Sequence, residues 1–530
     1  MPSAKPTSIA VVPVGPATPS LSPAPAKPRQ KQREPFAPGK TDLFLLGITI
    51  VLGGQFFSWN AGLHAGLYSY FGCYALIASA YITLCCCTSE ITGALPFAGG
   101  AYGLARCTLG FFPAFLIGCC EALEYIAYVA SSVLSLGDMI VQAAPSLHAY
   151  RWLLWLAFYA SAIAVHVAGD RVFWTVNRLL ALVSLAVLAL YVFGSICFAD
   201  YKTYAAGDAS LLVIGGFPAF LKALPLCCWF FVGVEALNLA SDHVKEPKRS
   251  IPRAQITCVS TLAVSGIAVV LVTVSLAPGL RLLPFELTPF NNGFSQLFQL
   301  APRDATILSL PATYATAFGF MWCYGQLIAA MATSRLLPAR LAHAAETTST
   351  RKSPLAAIVA GSVLSYACCL LVSFAPSLSD YLFNVCILSA FMSYTGQCIG
   401  YISLKRSYKN ITSSAFRSPF GVAGAVYSMA VWALAIVSIV AFQGHGGVEI
   451  GAFAGVVALL SVYYYAWARR RQTFSAQENR VMLVAHVMKF NGRRKVGAKP
   501  PPRTTASSVV STSKVASTTM TVHVRSPSKA

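Results

Sequence analysis

Stretches of roughly twenty residues with almost no charge recur about twelve times along this chain. That is the length a helix needs to cross the hydrocarbon core of a bilayer. They lie near 43–67, 71–94, 111–143, 152–169, 174–198, 217–240, 254–277, 306–334, 355–375, 379–404, 421–442 and 447–468. Short charged or turn-like segments separate them, among them Val244–Arg253, Ala345–Pro354 and Lys405–Pro419. The expectation is an all-α integral membrane protein of about twelve transmembrane helices. Composition agrees: 11% of residues are charged and 56% hydrophobic, against about 25% charged in soluble globular chains. A cytosolic enzyme, a disordered scaffold and a secreted disulfide mini-domain are excluded on that ground.

The formal net charge of +21 invites a nucleic-acid partner, but its distribution argues against one. Basic residues crowd the two ends, 1–40 and 469–530, and alternate connections of the apolar body. With both termini inside, the inner connections hold Arg106, Arg171, Arg178, Lys245, Lys248, Arg249, Arg253, Arg335, Arg340, Arg351, Lys352, Lys405, Arg406, Lys409 and Arg417. The outer ones hold only Arg151, Lys202, Lys222, Arg281 and Arg303. This is the positive-inside pattern, so both termini are expected in the cytoplasm. The sequon Asn410-Ile411-Thr412 then falls on the cytoplasmic side, where it goes unused.

Three parts follow: a disordered cytoplasmic tail over 1–40, a membrane domain of twelve spans over 41–470, and a disordered basic cytoplasmic tail over 471–530. The tails are rich in Pro, Ala, Ser and Thr and poor in aromatics. Arg469-Arg470-Arg471 and Arg493-Arg494-Lys495 make membrane lipids an expected partner, beside the simpler reading that they only hold the topology. The 16 cysteines include adjacent sets such as Cys85-Cys86-Cys87 and Cys227-Cys228. Neighbours on a helix point apart, so these read as small packing residues rather than metal ligands, and no metal or cofactor is expected.

Neither H-E-x-x-H, G-x-S-x-G nor a phosphate-cradling G-x-x-x-x-G-K-[ST] occurs, so the chain is not expected to be an enzyme or an ATP-driven pump. Secondary transport is the default. Two spans carry midmembrane glycine with polar neighbours: Gly53-Gly54-Gln55-Phe56-Phe57-Ser58-Trp59-Asn60 in the first, and Trp229-Phe230-Phe231-Val232-Gly233-Val234-Glu235 in the sixth. Broken helices there would expose peptide N–H groups to an anion and carbonyls to a cation; tight packing or a kink is the competing reading. The two spans lie five apart, and five crossings reverse direction, so a five-span repeat must be inverted. Glu121, Glu124 and Glu235 are acids well inside spans, each expected to face a partner, a cavity or a proton, or to serve as an interhelical strut.

Several motifs carry a family likeness. Ser89–Tyr102 resembles the loop after span two of the amino acid–polyamine–organocation superfamily. Phe231–Glu235 with Glu246–Arg253 is similar to that family's span six and its basic exit, and Ser334-Arg335 with Pro338-Ala339-Arg340 to the end of its span eight. Within it, Gly54–Asn60, Glu121–Tyr125 and Leu224–Phe230 resemble the ethanolamine permease branch. Two positions depart: Ser58 stands where glycine is usual, and Ser241-Asp242-His243 replaces a more acidic pair. The resemblance implies a leucine-transporter-like fold of two inverted five-helix repeats plus two peripheral helices. Its substrate, an amino acid or small amine, would lie between spans one and six, lined by spans three and eight.

On that basis the substrate residues are expected to be Gly53, Gly54, Gln55, Phe56, Trp59, Asn60, Glu121, Glu124, Trp229, Phe230, Phe231, Gly233 and Glu235. Amides at Gly53 and Gly54 would serve a carboxylate. Carbonyls at Phe231 and Gly233, the aromatic faces and the acids would serve an ammonium. The coupling ion, proton or sodium, stays open, as does exchange. An ethanolamine-specific permease and a non-transporting nutrient sensor on the same fold are the alternatives.

Overall fold

The computed structural model describes residues 37–487 apart from 98, 343–353, 408–412, 414, 444–446, 477 and 486. Asn410 and the tail residues 1–36 and 488–530 lie outside the described residues.

Every element among the described residues is helical. Eleven helices are long and apolar enough to span a bilayer, and a bent pair supplies the twelfth span. In order, the spans are Lys40–Gln55 with Trp59–Ala65, Leu67–Ala94, Phe111–Ala143, Pro145–Ala168, Asp170–Phe198, Gly216–Asp242, Pro247–Val274, Pro302–Thr333, Leu355–Phe374, Leu378–Ser407, Gly421–Phe442 and Val448–Arg471. The fifth shows why sequence forms them. Trp174, Asn177, Ala181, Ser184, Leu188, Tyr191 and Ser195 recur every three or four residues and are buried, while Leu179, Leu182 and Phe193 point outward. Polar side chains therefore turn toward neighbouring helices, and Leu179, Leu182 and Phe193 toward where lipid would lie.

Spans five apart pack together: second with seventh, third with eighth, fourth with ninth, and first with sixth. An inverted five-span repeat relates spans five apart, and four such pairs pack against each other here. The eighth span is the most interior, with 94% of its apolar window buried, and the twelfth the most peripheral at 6%. Spans one and eight meet at Gly53 and Thr316, three and six at Tyr125 and Glu235, and three and ten at Glu124 and Tyr394, so these five surround the centre, and the twelfth stands outside it.

The first span begins, and the twelfth ends, on one face, the tail face. A short helix, Gly100–Thr108, lies on that face after the second span. The chain past Arg471 also folds back there instead of departing at once. Glu478 is buried, accepting hydrogen bonds from Tyr102 and Ser334 hydroxyls at 3.0 and 2.9 Å and pairing with Arg106 at 3.5 Å. The opposite face carries connections that include Leu283–Phe285 and Asn291–Phe298.

Candidate substrate site at the broken spans

The first span winds tightly from Leu52 to Gln55, loses helical form over Phe56–Ser58, and resumes at Trp59 with a 46° bend. Ser58 there adopts φ 68°, a left-handed conformation rare for a residue with a Cβ. The sixth span is interrupted at Phe231–Gly233, where Gly233 takes φ 93°, with tight turns on both sides. Both interruptions fall in the predicted motifs, although the first begins two residues past the glycine pair.

The glycine pair instead sets contact distance. A Cβ on Gly54 would fall on the Trp229 carbonyl oxygen, so the two broken spans touch backbone to backbone there. A Cβ on Gly53 would strike Thr316 of the eighth span, whose hydroxyl accepts the Gly53 N–H at 2.9 Å. The Gly53 amide, expected to meet a substrate carboxylate, is thus already engaged. The interruption carbonyls are likewise occupied by turns: Phe231 O accepts Val234 N–H at 3.2 Å, and Gly233 O accepts Ala236 N–H at 3.1 Å.

The acids converge. Tyr125 offers its hydroxyl both to Glu121, at 3.0 Å, and to Glu235, at 3.3 Å, linking spans three and six. Tyr394 of the tenth span donates to Glu124 at 2.6 Å and itself accepts from Tyr81 at 3.3 Å. Each of the three carboxylates keeps one buried oxygen with no hydrogen-bond partner. Among the described residues, no basic side chain forms an ion pair with any of them. The Tyr128 hydroxyl, equally buried, is also without a partner.

Aromatic faces close the centre. Trp229 stacks on Phe383 at 5.3 Å and meets Phe57 and Tyr128 edge-on, both at 5.0 Å. Phe320 lies under Tyr128 at 5.1 Å and Tyr125 at 5.6 Å, and Phe231 stacks on Tyr81 at 5.4 Å. Toward the tail face, Asn238 donates to the Glu235 carbonyl and accepts from Thr92, beside a cavity of about 10 Å³, room for about one water. All thirteen expected residues are buried, so this is a closed conformation.

They do not all meet. Glu121, Glu124, Trp229, Gly233, Glu235, Gly53 and Gly54 surround the centre, with Phe231 at its edge. Gln55 turns to the seventh span, bonding Ser265 at 2.9 Å, and Asn60 donates to the Leu283 and Glu286 carbonyls at 2.7 Å each. Phe56 packs on Phe290, and Trp59 and Phe230 on each other. These side chains fasten the first span to its surroundings. Residues that sequence reasoning did not name include Thr316 and Phe320 from span eight, and Phe383 and Tyr394 from span ten. Only their polar or aromatic character inside apolar runs marked them.

Comparison with known proteins agrees with this architecture. An uncharacterized transporter of Rhizobium meliloti is 24% identical over 250 residues, which cover 43% of this chain and 50% of that protein. A histidine permease of Lactococcus lactis is 20% identical over 61% of this chain and 71% of its own length. A methylthioribose transporter of Bacillus subtilis is 24% identical over 72% of this chain and 83% of its own. The match thus spans half the length of the first of these relatives. A family model described as amino acid permease matches residues 43–469, nearly the whole helical body with both broken spans. The chain belongs to the amino acid permease family.

Proposed function

We propose that this protein is a secondary active transporter for an amino acid or small amine, whose ammonium sits among Glu121, Glu124 and Glu235 beneath the Trp229 and Tyr128 rings. The observation that carries the reading is the set of three buried carboxylates, each with an unpartnered oxygen and none paired with a base. An ionised acid at the centre of a bilayer costs about 2.5–3.5 kcal/mol on insertion scales, so a family of three invites cations. A substrate ammonium has three N–H donors for three open oxygens. The aromatic faces add cation–π attraction of about 0.5–2 kcal/mol.

Tyr125 also bears on coupling. One phenolic hydrogen cannot serve both Glu121 and Glu235, so the second carboxylate needs another proton or the ammonium itself. We read this pair as the site where a co-transported proton resides. Alternating access then follows: the closed centre releases its solute when the interrupted halves of spans one and six swing about Ser58 and Gly233. The tail face is taken as cytoplasmic from the basic-residue bias, in the plasma membrane.

One observation favours the narrower ethanolamine-type reading. The Gly53 amide is spent on Thr316, which weakens the expected grip on a substrate carboxylate. Uptake into proteoliposomes with alanine, a cationic amino acid, ethanolamine and putrescine as competitors tests both readings. Competition by all amines supports the general reading, and competition by ethanolamine alone the narrow one. Binding without counterflow of labelled solute marks a sensor and ends the transport reading.

A further inference from the structure

A second site lies on the tail face, well away from the acids. A groove of about 520 Å³ runs between the segment after the eighth span and the end of the twelfth, and its lining includes Arg335, Arg470, Arg471, Trp467, Gln472 and Thr473. No lining residue is acidic, and none of the three arginines forms an ion pair among the described residues. Three guanidiniums around one empty cavity form a site for a multiply charged anion, since each presents paired N–H donors to phosphate oxygens.

The groove is built, not a chance meeting of long side chains. Its walls are pinned by Tyr463 O–H to Leu336 O at 3.2 Å, Thr473 N–H to Ser334 O at 3.0 Å, and Tyr464 O–H to Gln472 Oε1 at 2.9 Å. Arg335 holds φ 58°, a left-handed conformation that a residue with a Cβ avoids unless its surroundings impose it. The twelfth span widens into a π-turn at Tyr464–Ala468 just before the arginines, a local change often found at functional sites. Arg470 and Arg471 reach the groove while Arg469 lies over Tyr465 instead, at 5.8 Å. Arg471 lies over Trp467 at 4.7 Å, at the end of a span where an aromatic ring marks the lipid boundary.

We propose that this groove binds the phosphorylated headgroup of an anionic phospholipid bearing more than one phosphate. Its place at the end of a peripheral span favours a membrane-borne ligand over a soluble polyphosphate: the acyl chains would run along the outward side of the twelfth span, where Leu459 and Val462 are exposed.

The test uses the purified full-length protein in detergent, with short-chain phosphatidylinositol 4,5-bisphosphate, phosphatidylserine and chain-free inositol trisphosphate as probes. The bisphosphate lipid is expected to bind saturably, and at least tenfold tighter than either of the others. Arg470→Gln with Arg471→Gln should weaken it at least tenfold, and adding Arg335→Gln should abolish saturation. Arg469→Gln with Arg480→Gln removes the same charge outside the groove and should change binding less than twofold. Equal weakening by both pairs would reduce the site to diffuse charge and overturn the proposal. So would trisphosphate binding as tightly as the lipid. If the triple variant is unstable without ligand, the two double variants still decide the matter.

Discussion

Gly54 and Gly53 stand out in the sequence, but the structure gives them another role. The sequence marks them as a place where a helix could open; the structure shows them as the places where spans six and eight press closest. Proximity of that kind depends on Trp229 and Thr316, 175 and 263 residues away, which no local pattern encodes. Gly54→Leu should therefore abolish uptake while the protein still reaches the membrane, measured as transport per molecule of surface protein. Glu235→Gln keeps an oxygen for Tyr125 but removes the charge, and uptake should fall to background with the fold intact. Asn60, by contrast, ties the first span to the Leu283–Glu286 connection. Asn60→Ala should lower stability by about 1–3 kcal/mol through carbonyls left unpaired, with KM changed less than twofold. Thermal unfolding beside uptake kinetics separates the two effects.

The spans themselves were the most readable elements, because crossing lipid demands a length of apolar chain that turns and connections cannot imitate. The fifth span shows the limit. Its buried stripe of Asn177, Ser184 and Ser195 is visible as periodicity, but what it faces is not. The break in the first span was legible as a region and misplaced in detail, since it centres on Phe56–Ser58 rather than the glycines. Ser58 explains a departure noted from the resemblance. The resemblance implies glycine at this position, and the structure puts Ser58 in the left-handed region at φ 68°. A Cβ there costs about 1–2 kcal/mol. Ser58→Gly should relieve that cost and leave the midpoint of thermal unfolding unchanged or higher, with transport retained; a clear fall in the midpoint would mean the serine hydroxyl holds the break.

At the scale of the whole molecule, inverted pairing gathers spans one, three, six, eight and ten around the centre, and the tail-face segments fasten the assembly from one side. The carboxylates of spans three and six could be picked out in the sequence as costly inside lipid. Their union through Tyr125, and the entry of Tyr394 from span ten, could not, because it is a product of the repeat geometry. The strap past Arg471 was equally hidden, since its Ser/Thr-rich continuation resembles a free tail. Its Glu478 is buried against Arg106, and removing one partner of such a pair costs about 3–5 kcal/mol. Glu478→Ala should thus lower the unfolding midpoint distinctly more than Asp304→Ala, whose pair with Arg303 is exposed to solvent.

In the proposed function, an ammonium meets three uncompensated acids in a closed aromatic centre. The most direct measurement compares uptake of alanine, ethanolamine and N-acetylalanine by proteoliposomes holding the wild-type protein or Glu235→Gln, under an inward proton gradient. Accumulation of at least one of the two amines, exclusion of the acetylated solute and loss of accumulation in the variant are the predicted results. Uptake of N-acetylalanine as fast as the amines, or undiminished accumulation by Glu235→Gln, would contradict it.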